Sequence, residues 1–314
     1  MTPEAGTAMG KPPEGRSGLS GVAAQPSSPR PYTAPTPGAI DLAGLADHLT
    51  LPLLHRLPLD TLGWPVGPTR LFPIEEATLP ALRALGVEVT LQGASREPGA
   101  GNVILLPTEG VSCGTILLTL VGARGAVVAH GGGSAERRME ITIEGEGNAC
   151  LLGHSRFSSR YNIQIRARDS GLLVGRDCSG RGIKFQLDGQ GRRLVMGRGC
   201  MMGPGVTIRT SDSHGIVDLA TGAHTNPPRD VRIGDHVWLS HEAMVLRGVT
   251  IGAGSVVAMR GLVTRNVPPR CLVAGIPARV VRREVSWTRE SMPGERQVAM
   301  LRAELDLAMP QDED

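Results

Sequence analysis

The sequence predicts an all-β solenoid of short parallel strands, and three observations carry that prediction. From Val231 to Val267 a large aliphatic residue falls at every sixth position: Ile233, Leu239, Val245, Ile251, Val257 and Val263. Four residues after each comes a second, mostly smaller set: Val237, Ala243, Val249, Ser255, Gly261 and Val267. Glycine follows the large residue at Gly234 and Gly252. A helix, at 3.6 residues per turn, smears a six-residue repeat around its whole surface, and a plain strand gives no reason for glycines at these intervals. A coil that bends every six residues explains all three, each side donating one large and one small inward side chain. Glycine is expected to permit the bend.

Composition agrees. Hydrophobic residues make up 40% of the 314, enough for a core, yet aromatics are only 3% and there are 42 glycines. Globular cores lean on aromatic area, whereas narrow stacked coils fill with Val, Ile, Leu and Ala. A net charge of +3 with no dense basic run excludes a nucleic-acid partner as an expectation. Cys113, Cys150, Cys178, Cys200 and Cys271 form no CxxC pair, so neither a disulfide framework nor a zinc knuckle is indicated. Cys178 and Cys200 occupy equivalent repeat positions and read as small core residues. With no N-terminal apolar segment and no apolar run of spanning length, a soluble cytoplasmic protein without membrane insertion is expected.

Taken in order, residues 1–38 are rich in Pro, Gly, Ser and Ala and are expected to be disordered. Residues 39–100 read as a small N-terminal cap of unknown role, with a short helix at Glu75 to Leu85 and Pro80 in its first turns. Residues 101–285 carry the repeats. Their early register has a period of 22: Ile141, Ile163 and Phe185 correspond, as do Leu151, Leu173 and Val195. The pairs Leu152-Gly153, Val174-Gly175 and Met196-Gly197 mark one bend in successive coils. Between Thr210 and Asp230 the register stops, and SDSHGIVDLATGAHTNPPRD reads as a projecting loop, a preferred place for function. Residues 286–314 hold a C-terminal helix, Glu290 to Ala308, packing through Val298, Leu301 and Leu305, and an acidic tail.

The motifs TSDSHGIVD, DVRIGDHVWLS, LRGVTIGAGSVV and VPPRCLVAGIPARVV, with a trailing Trp287, resemble the hexapeptide-repeat acyltransferases. The pattern is particularly similar to that of the sugar O-acetyltransferases of bacterial surface-polysaccharide clusters. The likeness covers about Gly101 to Trp287. It implies a left-handed parallel β-helix, assembled as a homotrimer, that binds acetyl-CoA as cosubstrate between adjacent subunits and uses a loop histidine as base. The handedness rests on the resemblance alone, since parallel crossovers are right-handed in about 98% of cases.

His214 matches the family's base; an imidazole titrating near neutrality can take a proton from an attacking sugar hydroxyl. Asp212 and Asp218 flank it and are placed to orient its ring. His224 is open to substrate contact, and Asn226, in a TNP segment like the family's INP, either contacts substrate or braces the loop. Trp238 reads as a pocket wall or a packing plug for the loop. For the cofactor, the resemblance implies Trp238, Ser240, Ala258, Met259 and Thr264 along the groove. Arg265, Arg279, Arg282 and Arg283 are its candidates for the phosphates of CoA. Ser240 stands where the family has glycine, and Met259-Arg260-Gly261 where it has Ala-Gly-Ser; side chains projecting there would obstruct the groove.

Three other readings compete. A γ-class carbonic-anhydrase-like zinc site would use His236 and His241, but in the LRGVTIG frame the ligand positions hold Glu242 and Arg247, so no metal is expected. A trimeric scaffold with a decayed site is the second. An N-acetyltransferase acting on a nucleotide-linked amino sugar is the third.

Overall fold

The structure, a computed structural model, describes residues 57–58, 69–107, 114–133, 138–157 and 160–307. The segment expected to be disordered, most of residues 39–68 and the acidic tail lie outside the described residues.

The chain winds through three sheets in turn. The first has eight strands, from Thr69–Pro73 to Thr250–Ile251. The second has seven, from Arg156–Phe157 to Ala278–Arg283, and the third eight, from Val87–Gln92 to Leu262–Val263. Among the described residues the strand pairs are parallel except at the two ends. There Thr69–Pro73 pairs antiparallel with Val103–Pro107, and Cys271–Gly275 pairs antiparallel with Ala278–Arg283. The predicted register holds: Leu173 lies between Leu151 and Val195, and Ile163 between Ile141 and Phe185. Beyond the loop the coil shortens, and Arg232 pairs with Thr250, Trp238 with Val256 and Met244 with Leu262. Both six-residue sets are buried along the axis, and Ser255, the polar member, donates its hydroxyl to the Pro268 carbonyl at 2.9 Å.

The glycines at the bend serve a different purpose from the one predicted. Gly175, Gly197, Gly234 and Gly252 do not adopt left-handed backbone; the residues two further on do, at Asp177, Gly199, His236 and Gly254. What the bend glycines supply is room. A Cβ on Gly175 would sit 2.7 Å from the Gly197 carbonyl carbon, and one on Gly234 2.7 Å from the Ala253 nitrogen. Each coil lies directly on the backbone of the next, and a methyl group would prise them apart.

At the N-terminal end, a 3₁₀ turn at Glu76–Thr78 leads into helix α1, Leu79–Ala84, with Pro80 in its first turn as expected. Leu82, Phe72 and Ile74 close the main core there. In the first sheet alternate residues face outward and are buried too. Leu105, Val127, Ala129, Ala149, Leu151 and Leu173 cluster with Leu57, so this face is covered as well as the end. The cysteines at 150, 178, 200 and 271 are free and buried, and desolvation pushes the Cys150 thiol up to about 12.

Helix α2, Glu295–Leu307, starts later than predicted, beyond an irregular stretch and Pro293. Its Leu305 is buried, Val298 and Leu301 are half-buried, and Leu305 packs on Gly254 at a coil corner. No helix among the described residues is long and apolar enough to cross a membrane.

Candidate active site

The loop leaves the third sheet after Thr207–Arg209 and returns to the first at Val231–Ile233. Two arginine–aspartate pairs close the coil across this excursion. Arg193 binds Asp230 at 2.8 Å and Arg198 binds Asp235 at 2.7 Å, and the two aspartates also accept from the backbone N–H of these arginines. Within the loop, Val217 bridges His224 antiparallel, and Asp218 N–H donates to the Ala223 carbonyl. The loop is therefore a small hairpin arm. Asp218 caps its turn by accepting from the N–H groups of Thr221 and Ala220, bonds that hold its carboxyl below the usual range. That is a turn-forming role, and it orients no imidazole.

Asn226 is the node of the arm and is only 3% exposed. Its Nδ2 donates to the His214 carbonyl at 2.9 Å and to Asp212 Oδ2 at 3.0 Å. Its Oδ1 accepts from Ile216 N–H at 2.6 Å and from His224 Nε2 at 3.0 Å. Two acceptors on one side and an N–H on the other fix which way the amide points, and His224 must then carry its proton on Nε2. Of the two roles open to Asn226, the geometry supports the brace. His224 is likewise tied into the arm.

His214 is exposed, and its ring has no hydrogen-bond partner among the described residues. Asp212 is placed differently from the expectation. Its carboxylate binds Arg247 Nε at 2.8 Å and the Asn226 amide, so it is engaged with the arm's base, not with the imidazole. The Arg247 hydrogen bond holds its carboxyl below the ordinary range; partial desolvation opposes it, and the Asn226 hydrogen bond and the charges of Arg247 and Arg209 add to the lowering. A carboxyl whose folded pKa is depressed contributes stability that is complete above its unfolded value of about 3.9 and lost as pH falls through the lower folded value. Asp212→Asn is therefore expected to destabilise the arm by a constant amount above about pH 4 and by a shrinking amount below it. Limited proteolysis at the arm across pH 7 to 3 measures this; a difference that persists unchanged at pH 3 would contradict it.

The other predicted residues lie elsewhere on the prism. Ser240, Ala258 and Met259 sit at the corner between the second and third sheets, one coil above another; Ser240 is buried and Met259 is exposed. Arg260 is drawn sideways, Nε to Glu242 at 2.6 Å, so it lies along the corner. Thr264 and Arg265 are exposed at the edge from which the loop also springs, and Arg279 and Arg282 are exposed on the terminal hairpin. Trp238 faces outward on the second sheet, half-buried, 6.0 Å from Trp287 and tilted by 49°. It packs on the C-terminal segment and plugs no loop. Trp287 in turn stacks on His236 at 4.4 Å, and the two exchange hydrogen bonds, indole N–H to the His236 carbonyl and Nε2 to the Trp287 carbonyl, each 2.8 Å. Beside them a cleft of about 510 Å³, lined by Arg156, Asp177, Arg296 and Glu304 among others, includes none of the predicted site residues. Among the described residues no three His, Cys, Asp or Glu side chains are grouped to hold a metal ion.

Among the described residues, a three-sided parallel solenoid is interrupted by an arm that presents a histidine. No family model matches the chain. It is 30% identical over 125 residues to a polysialic acid O-acetyltransferase of Escherichia coli O1:K1, covering 40% of each chain. It is 27% identical over 129 residues to a polysialic acid O-acetyltransferase of Neisseria meningitidis, covering 35% of this chain and 60% of that one. A solved polysialic acid O-acetyltransferase shares the fold at a TM-score of 0.51 and 24% identity, covering 60% of this chain and 89% of the other. Over its solenoid the chain is similar in sequence to these polysialic acid O-acetyltransferases, and its fold is a left-handed parallel β-helix. It spans 40% and 60% of the length of the two curated relatives.

Proposed function

We propose that this chain is an acetyl-CoA-dependent O-acetyltransferase that acts on a sugar hydroxyl, in the cytoplasm, in the making of a surface polysaccharide. The observation that carries the reading is the arm: the register breaks between Thr210 and Asp230, and the break is braced from within to present His214 on an exposed backbone turn. Acetyl-CoA supplies the activated acetyl group. His214 takes the proton from the acceptor hydroxyl as it attacks, and gives it to the departing thiolate, so the acetyl group moves from sulfur to oxygen with no net proton change.

The residues suit such a cosubstrate. Arg265, Arg279 and Arg282 are exposed and form no ion pair among the described residues, which leaves their guanidiniums available to phosphate. The corner with Met259 is not closed by Arg260, which Glu242 holds aside. His214 and Trp238 lie on different faces of one prism, so a site that uses both draws them from neighbouring copies. This favours the homotrimer that the resemblance implies.

Calorimetry with acetyl-CoA, followed by transfer of labelled acetyl to oligosialic acid and to a galactoside, tests the reading. One site per chain at micromolar strength is expected. No binding at millimolar acetyl-CoA would leave a non-catalytic scaffold as the better account.

A further inference from the structure

Ser213, immediately before His214, has φ +68. Residues with a Cβ hold left-handed backbone only where the surroundings impose it, and such positions gather at functional sites. Here the imposition comes from two directions. From the strand below, Arg209 Nη2 donates to Ser213 Oγ at 2.9 Å, and Ser213 N–H donates to Ser211 Oγ at 3.0 Å. From the coil above, Arg247 holds Asp212, Asp212 accepts from Asn226, and Asn226 grips the His214 carbonyl.

Arg247 itself belongs to the solenoid. It lies between the strands Met244–Val245 and Thr250–Ile251, on the same edge as the arm, with its side chain about one-fifth exposed at 21%. The hydrogen bonds of Asn226 are all internal to the arm, so they fix its shape without fixing where it stands. The Arg247–Asp212 pair supplies the second requirement from the coil above, beside Arg209 from the strand below, by tying the arm to a rigid coil.

We propose that Arg247 is a positioning residue: through Asp212 and Asn226 it sets the place of His214 relative to the solenoid. The inference rests on the transferase reading, because without a base there is nothing to position. A fixed near-attack geometry is what such a residue contributes, and a displacement of about 1 Å can cost about 100-fold in rate. Among the described residues the Arg247 side chain hydrogen-bonds to Asp212 and to neither the imidazole nor the predicted cofactor residues, so its loss should appear in turnover and not in cofactor affinity.

The test compares Arg247→Gln, Arg247→Lys, Asp212→Asn and His214→Ala in the full chain. Turnover is read as acetyl-CoA consumption with oligosialic acid, a galactoside and water offered as acceptors. Acetyl-CoA affinity is read by calorimetry, and arm mobility by hydrogen exchange of the peptide covering residues 211–230. Arg247→Gln should lower kcat by about 10- to 100-fold with acetyl-CoA affinity unchanged and exchange in the arm faster. Arg247→Lys, which keeps the charge, should recover part of the loss. Asp212→Asn breaks the link from the other side, and the same pattern from it supports the inference even if Arg247→Gln folds poorly. If Arg247→Gln turns over like the wild type while His214→Ala is dead, the inference fails and the transferase reading stands. A fall in acetyl-CoA affinity equal to the fall in kcat would make Arg247 a binding residue and overturn the positioning role. If His214→Ala retains full turnover, or the wild type neither binds nor consumes acetyl-CoA, the reading itself falls and takes this inference with it.

Discussion

Replacing His214 with alanine is expected to lower kcat by about 10²- to 10⁴-fold, the usual worth of a general base. Melting temperature and acetyl-CoA affinity should stay at wild-type values. The expectation of unchanged stability comes from the structure: the ring is exposed, and the arm is held through the His214 carbonyl, which alanine retains. Asn226, Asp212 and Ile216 then keep their bonds. A sugar hydroxyl is a poor nucleophile without a base, so the whole effect belongs in the chemical step. Steady-state kinetics on both substrates decides the matter; a variant with turnover within a factor of three of wild type would remove His214 from the reaction.

The second large effect concerns the solenoid. Gly197→Val is expected to destabilise the protein by about 3 kcal/mol or more, at the severe end of overpacking substitutions. The Cβ alone would stand 2.6 Å from the Asp235 nitrogen and 2.7 Å from the Gly234 carbonyl carbon. Those atoms are backbone of the next coil and cannot rotate away. Moving them also strains the Arg198–Asp235 pair that closes the coil over the loop. A fall of several degrees in the melting midpoint, with the arm proteolysed sooner, is the expected result. Gly215→Val is the control for the melting midpoint, since its backbone is not left-handed and a Cβ there would meet nothing nearer than 3.6 Å; equal losses in the two variants would show that crowding is not the cause.

Periodicity made the stack legible. Ile141, Ile163 and Phe185 announce their pairing because coils in register must repeat the same inward residue, and the 22-residue spacing survives into the ladders. The loop was legible as a lapse in that repeat. Gly197 shows the limit: its position was plain, but its reason depends on how near the next coil comes, which no single strand's pattern encodes. Arg247 was harder still. It reaches Asp212 across 35 residues of chain, and an arginine at a corner looks like any solvated charge until the fold brings the carboxylate to it. Asp230 and Asp235 were missed for the same cause. Their spacing from Arg193 and Arg198 exceeds the coil length by the length of the loop, and so hides the pairing. The His236–Trp287 stack joins residues 51 apart with no repeat between them.

The C-terminal segment alters how this molecule comes apart. In a stack where each coil touches only its neighbours, unfolding frays inward from a free end, one coil at a time. Here the chain doubles back. Arg289 reaches Ser179, 110 residues earlier, Trp287 clasps His236, and Leu305 rests on Gly254. The last coils cannot peel away while those bonds hold, and the middle coils cannot open without loosening the end. A one-dimensional array has been given a second set of long-range ties, so its coils from Asp177 to Gly254 should melt as a single cooperative unit.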